Sequence, residues 1–464
     1  MDIDLTMDGG AYSGWGIVVM YCMAFLFHAP YRISNLRFKG RRIFTNKPVM
    51  GAQRGLGGVQ PRFAVESQMD MIAHDLGLDP MELRLKNAMY GGYRTANELE
   101  IATCGFSECL ERAVEKARWK EKWGKLPKGR GIGIAGGYYV AGTAYTLYRS
   151  DRPHSSAEIR IEPDGGITLF TGAADIGQGS DTILAMMAAE ELGVRVDDIE
   201  VVSGDTGITP MDLGSFSSRV TLAGGNAVRR AAQDVKTQLF EVVSRKLGID
   251  SAHLEAKDYR IQHRDSPGIG MDWAEVVEAT VAQKGSIVGK GSFRPPQLGG
   301  KFKGGKIGQS PAYSFSAQIA EVEVDLKTGK VRVLEVTEAS DCGFAINPMS
   351  VEGQVEGSIQ MGMGEALFEE MVINEKGEIV NNSFLDYKIP TSMDMPRINT
   401  LIVETLDPAG PFGAKEAGEG PIQPTIPAIL NAIYNAVGVR IKELPVTPEK
   451  IIKELQELKG EGRK

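Results

Sequence analysis

Three stretches of this chain alternate apolar and polar residues about a tight turn, and segments of helical spacing lie among them. They are "AEIRIEPDGGITLFTG" (157–172), turning at Asp164-Gly165; "AEVEVDLKTGKVRVLEV" (320–336), turning at Thr328-Gly329; and "EEMVINEKGEIVNNSF" (369–384). Period two around such turns predicts hairpins. Apolar residues recurring at helical spacing predict helices over 182–192, 222–247 and 426–437. A chain carrying both periods builds an α+β fold, with mixed sheets and helices packed on them. The hairpins resemble one another too weakly for a repeat solenoid.

With 464 residues the chain exceeds one ordinary core. The stretch "GKLPKGRG" (124–131) has linker composition, which divides the chain into 1–125 and 126–464. In the first part the apolar run "WGIVVMYCMAFLF" (15–27) is too short to span a membrane and follows acidic residues where a signal peptide is basic. It predicts a buried helix. A short strand from Arg37 leads into a glycine-rich loop and a helix after Pro61. Asp79 and Pro80 begin the next helix, with Glu82 placed for a capping box, and a further helix covers 109–123.

Several chemistries are excluded early. A formal net charge of −8 and the lack of a basic run argue against nucleic acid. Cys22, Cys104, Cys109 and Cys342 form no CxxC pair, and the five histidines show no ligand spacing, so no metal is expected on side chains. Four unframed cysteines suit a reducing, cytoplasmic setting. The glycines of "GRGIGIAGGYYV" (129–140) alternate with apolar residues and run into β-favouring ones, so they predict a strand and not a dinucleotide loop.

The 56 glycines lie scattered along the chain, and some of them stand in four polar loops beside helices. These are "GAQRGLGG" (51–58), "TGAADIGQGSD" (171–181), "GSFSSRVTLAGGNAV" (214–228) and "INPMSVEGQVEG" (346–357). In the second, free N–H groups at a helix start, capped by Ser180 or Asp181, make an anion-friendly corner beside Gln178. Four such loops, none with a catalytic nucleophile or metal ligand, predict a chain that wraps a large polar cofactor, which would carry the chemistry.

The ordered set "GAQRGLGGVQPRFAVESQMDMIAHDLGLDPMELRLKN", "GQGSDTILAMMAAEELGV", "SSRVTLAGGNAV", "INPMSVEGQVEG", "LDYKIPTSMDMPRI" and "GAKEAGEGP" resembles the molybdenum-cofactor subunit of the xanthine dehydrogenase and aldehyde oxidase family, over nearly the whole chain. The resemblance implies two elongated molybdopterin-binding domains, this chain holding the C-terminal part of the first (1–125) and all of the second (126–464). It implies a molybdenum ion held by the pterin dithiolene and by no side chain, with the cofactor in its cytosine dinucleotide form. Cofactor contacts carry over to Ala52, Gln53, Arg54, Gln178, Gly179, Ser218, Thr221 and Gln354. The catalytic general base carries over to Glu419. Electrons would pass to partner subunits carrying 2Fe-2S clusters and FAD.

Two departures from the family pattern matter. Many relatives have a small or apolar residue where Glu416 stands; the extra acid is similar to the 4-hydroxybenzoyl-CoA reductase branch, which leaves aldehydes, N-heterocycles and aromatic CoA thioesters open as substrates. Purine-binding relatives carry an arginine near Cys22, which argues against a purine. The family's leading β-rich domain and a further cofactor loop are not matched, so the expectation is either a separate N-terminal molybdopterin-binding half as a partner or a truncated reading frame. A non-catalytic scaffold or assembly chain of the same fold is the alternative reading.

Overall fold

The computed structural model describes residues 1–28, 30–142, 152–296 and 310–461. The chain divides into two compact units, each discontinuous in sequence. The first comprises Met1–Val140, Gly299–Thr405 and Glu416–Lys464; the second comprises Ala141–Leu298 and Leu406–Lys415.

The first unit is built on a four-stranded sheet in the order Arg397–Val403, Val331–Asp341, Tyr313–Val324, Arg130–Val140. The first pair is parallel and the other two are antiparallel. Alternation along Tyr313–Val324 separates two faces. Phe315, Ala317 and Ile319 join the core that holds Phe106, Cys109, Leu110 and Ala113 of the helix Phe106–Lys116. Ala320, Val322 and Val324 join the core around Ile426, Ile429 and Ile433 of the helix Thr425–Val437.

That second helix explains the glycines of "GRGIGIAGG". A Cβ on Gly131 would lie 2.2 Å from the Ala432 carbonyl oxygen, and one on Gly133 would lie 2.2 Å from the Ala432 nitrogen. Helix backbone rests directly on the strand, so no side chain fits between them. The strand Arg130–Val140 thus meets the sequence expectation, and packing is why glycine is needed there.

The second unit repeats the device. Its sheet runs Ile287–Phe293, Ser155–Ile161, Ile167–Thr171, Ile199–Ser203. The expected hairpin at Asp164-Gly165 is present, and the helix Ser180–Leu192 crosses over to the parallel strand Ile199–Ser203. Cβ atoms on Gly289 and Gly291 would lie 2.3 Å and 2.0 Å from the carbonyls of Ala231 and Ala227, so the helix Gly225–Leu247 lies against this sheet as closely.

The structure departs from the sequence reading in four places. The third hairpin is reduced to one bridge between Ile373 and Ile379. The helix expected over 109–123 breaks at Arg118, which is left-handed at φ 55°, into Phe106–Lys116 and Trp119–Lys122. A π-turn at Val220–Gly224 precedes the long helix of the second unit. The helix Gly16–Leu26 buries Val19, Cys22, Met23, Phe25 and Leu26, while Ile17 and Tyr21 remain 55% and 45% exposed, so it is buried on one side only. The hairpin at Thr328-Gly329 forms as expected.

Candidate functional site: the Glu416–Glu419 turn and the four loops

In the first unit the polar face of the strand Tyr313–Val324 carries Ser314, Ser316 and Gln318, all buried, at every second residue. Each reaches the segment that begins at Glu416. The Ser314 hydroxyl donates to Glu416 Oε1, Ser316 Oγ donates to the Gly420 carbonyl at 3.2 Å, and Gln318 Nε2 donates to Thr425 Oγ1 at 3.2 Å. Glu416 is 3% exposed and accepts the backbone amides of Glu419 at 3.0 Å and Gly420 at 3.1 Å. Its carboxylate therefore shapes the turn.

Glu419 is only half-buried. Its Oε1 accepts from the Gly55 amide at 3.0 Å and from the Tyr139 hydroxyl at 3.1 Å. Arg54 bonds to the same turn, with Nε donating to the Gly418 carbonyl at 2.5 Å. Its Nη2 donates to Gln354 twice, to Oε1 at 2.8 Å and to the carbonyl at 3.1 Å. Arg54, Gln354 and Glu419, which lie far apart in sequence, thus share one network. Gln354 stands on the helix Pro348–Leu367 and not in a loop; Asn347 caps that helix by accepting from the Ser350 amide. Ala52 and Gln53 are exposed, and Gln53 Nε2 donates to Glu365 Oε1 at 2.8 Å. Burial first, and the nearby Glu369 second, push the Glu365 carboxyl up to about 7.

In the second unit the expected free helix start is closed by a residue the sequence reading passed over. Asp175 accepts the amides of Gly177 at 2.8 Å, Gly179 at 3.4 Å and Asp181 at 3.2 Å. Burial acts to raise its carboxyl, and these amides outweigh it, holding it below the usual carboxylate range. Neither Ser180 nor Asp181 is the cap. Gln178 folds back on its own loop, accepting from the Ile176 amide at 2.6 Å and donating to the Ala174 carbonyl at 3.3 Å. Ser215 Oγ donates to that carbonyl too, at 2.5 Å, which ties the GQG turn to the hydroxyl-rich loop. Ser217 and Ser218 are left-handed, at φ 54° and 48°, a strained pair of the kind that concentrates at ligand sites. Buried Arg219 holds this loop through Asp212, the carbonyls of Gly214 and His154, and Ser155 Oγ. Thr221 lies in the π-turn.

The same unit has polar capacity left over. Ser180 Oγ is 1% exposed and, like Asp181 Oδ1, has no partner among the described residues. In the first unit Gln423 Oε1 is likewise buried and unpartnered. A Cβ added at Gly51 or Gly177 would meet nothing within 4 Å. In the second unit, the open backbone at Gly177 three residues before the unused Ser180 hydroxyl fits a ligand that hydrogen-bonds there. Among the described residues no group of three or more His, Cys, Asp or Glu is placed to hold a metal ion. No helix among them is long and apolar enough to cross a membrane.

Models described as molybdopterin cofactor-binding domains match residues 1–88 and 108–396. The chain belongs to the molybdopterin cofactor-binding family. The putative xanthine dehydrogenase molybdenum-binding subunit XdhA of Escherichia coli is 33% identical over 97% of this chain and 59% of that protein. The aldehyde oxidoreductase of Megalodesulfovibrio gigas is 31% identical over 98% of this chain and 47% of that protein. Quinoline 2-oxidoreductase from Pseudomonas putida 86 superposes with a TM-score of 0.89 at 28% identity, over 97% of this chain and 59% of that one. This molybdopterin-binding chain therefore spans about half to three-fifths of the length of these relatives.

Sequence reasoning missed Tyr139, Ser314, Ser316 and Gln318 around the turn, and Asp175 and Arg219 in the second unit. A signal for the serines does exist. "SFSAQ" alternates polar and apolar in a strand too apolar to be exposed, which marks a buried polar face with something to bind.

Proposed function

We propose that this chain is the molybdopterin-binding, catalytic part of a molybdenum oxidoreductase of the xanthine dehydrogenase and aldehyde oxidase type. Its substrate is an aldehyde, an N-heterocycle or an aromatic CoA thioester. The observation that carries this reading is Glu419, a half-buried carboxylate whose backbone is fixed by Glu416 and whose Oε1 is fixed by Gly55 and Tyr139. A bound molybdenum cofactor would supply two-electron redox chemistry at the metal. Ala52, Gln53, Arg54 and Gln354, with Gln178, Gly179, Ser218 and Thr221, would hold it through backbone and amide groups, in the cytosine dinucleotide form.

Glu419 acts as the general base, taking a proton on its carboxylate while the turn keeps that group in place. Electrons leave through partner subunits carrying 2Fe-2S clusters and FAD. A further polypeptide of the same family completes the cofactor site. The domain division at 125/126 belongs to the same proposal.

The test is co-expression with such partners, molybdenum analysis, and turnover of benzaldehyde, quinoline, hypoxanthine and 4-hydroxybenzoyl-CoA with a dye as electron acceptor or donor. Stoichiometric molybdenum with turnover of one compound is expected. A fully assembled, molybdenum-free, inactive complex would instead support the scaffold reading.

A further inference from the structure

Tyr139 and Ser314 are directly paired across the antiparallel strands Arg130–Val140 and Tyr313–Val324. Opposed residues of such a pair point to the same face. Ser314 donates to Glu416, and Tyr139 donates to Glu419 Oε1 at 3.1 Å. One rung of the sheet therefore serves both acids of the turn. The Tyr139 side chain is 2% exposed, and its oxygen also lies 3.3 Å from the Leu56 carbonyl, so one phenolic proton faces two acceptors. A hydroxyl can give that proton to only one of them at a time.

We propose that Tyr139 is a positioning residue for Glu419, its phenol donating to the carboxylate while Glu419 is ionised and turning to the Leu56 carbonyl when Glu419 has taken up a proton. The donor is then never left buried and unpaired, which would cost more than the exchange of partners. The phenol keeps its own proton throughout: burial first, and the Glu419 charge next, raise its ionisation well above the ordinary tyrosine range. Tyr139 is thus a donor that follows the state of the base and not a second acid. The role rests on the reading of Glu419 as base.

The test has a spectroscopic arm and a kinetic arm. In the first, the full chain carries 3-fluorotyrosine and its ¹⁹F spectrum is recorded, the Tyr139 resonance being assigned as the one lost in Tyr139→Phe. That resonance should move in Glu419→Gln, where a neutral amide replaces the carboxylate; an unmoved resonance overturns the proposal. In the second, the assembled holoenzyme turns over whichever of the four compounds named above the wild type handles fastest. Tyr139→Phe, which keeps the ring, should lower kcat roughly ten- to a hundredfold with KM and molybdenum content unchanged. Tyr139→Leu should lose packing as well. An inactive Glu419→Gln beside an undiminished Tyr139→Phe overturns the positioning role alone. A fully active Glu419→Gln overturns the base assignment and the positioning role with it.

Discussion

Glu416 and Glu419 stand three residues apart in one turn, yet their surroundings separate them completely. Glu416 is buried and spends its oxygens on Ser314 and on the amides of Glu419 and Gly420. Glu419 is the more open of the two, and its Oε1 accepts from Gly55 and Tyr139. Glu416 is therefore the support for Glu419 in this turn. Glu419→Gln in the assembled enzyme should keep its molybdenum and lose roughly 10²–10⁴-fold in turnover. Glu416→Gln retains an acceptor toward the turn and should keep much more activity. Glu416→Ala leaves the Ser314 hydroxyl and two amides without this acceptor and should cost about 1–3 kcal/mol in urea unfolding. An inactive Glu416→Gln beside a normal Glu419→Gln would reverse the assignment.

At the scale of elements, the strands Tyr313–Val324 and Val331–Asp341 hold a second buried acid beneath the turn. Glu338 is paired across the ladder with Gln318, accepting from Gln318 Nε2 at 2.6 Å and from Ser340 Oγ at 2.8 Å. Burial pushes its carboxyl up to about 8 from a reference of 4.5, against the pull of those two donors and of Arg54. Between these values the folded protein holds a proton that the unfolded chain has released. Its stability must therefore fall as pH rises from about 4.5 to 8 and level off above. Glu338→Gln removes that loss, so its stability relative to wild type should be greater at pH 9 than at pH 5 by at least about 2 kcal/mol in urea titrations. An equal difference at both pH values would show that Glu338 is ionised when buried. The elements themselves were legible where a local rule governed them: the hairpins at Asp164-Gly165 and Thr328-Gly329, the Asp79 cap, and the helices after Ser180 and Thr425. Reading failed where a distant partner decided. The GQG turn looked open because Asp175 is an ordinary loop residue until it folds back on the amides.

At the scale of the whole molecule, the first unit displays an apolar surface that nothing in the chain's described residues covers. Tyr12, Trp15, Ile17, Tyr21 and Phe44 are 74%, 49%, 55%, 45% and 61% exposed. Tyr12, Trp15, Ile17 and Tyr21 belong to the loop and helix that follow Asp2–Asp8, and Phe44 follows its parallel partner Arg37–Ile43; Ile3 and Met7 bury one side of that two-stranded ribbon, and a sheet of two strands is seldom stable alone. The proposed family partner would cover this surface. The chain expressed by itself should then self-associate in size-exclusion chromatography and carry molybdenum well below one equivalent. Co-expression with the partner should end the self-association and restore the molybdenum, and Trp15→Arg should lower co-purification at least about tenfold, since buried aromatic anchors dominate such interfaces. A stable monomer with full molybdenum would overturn this.

The sequence by itself determined the periods of the strands and helices, the turns that punctuate them, and the motif order that marks the family, because each depends on neighbours a few residues away. It also singled out Glu419, set between glycines in a tight turn. Only the tertiary structure decided what Glu419 touches. Tyr139 reaches it across 280 residues, Gly55 across 364, and Arg54 meets Gln354 across 300. Strand register brings such groups together, and register is set by the packing of whole faces, which no local pattern specifies.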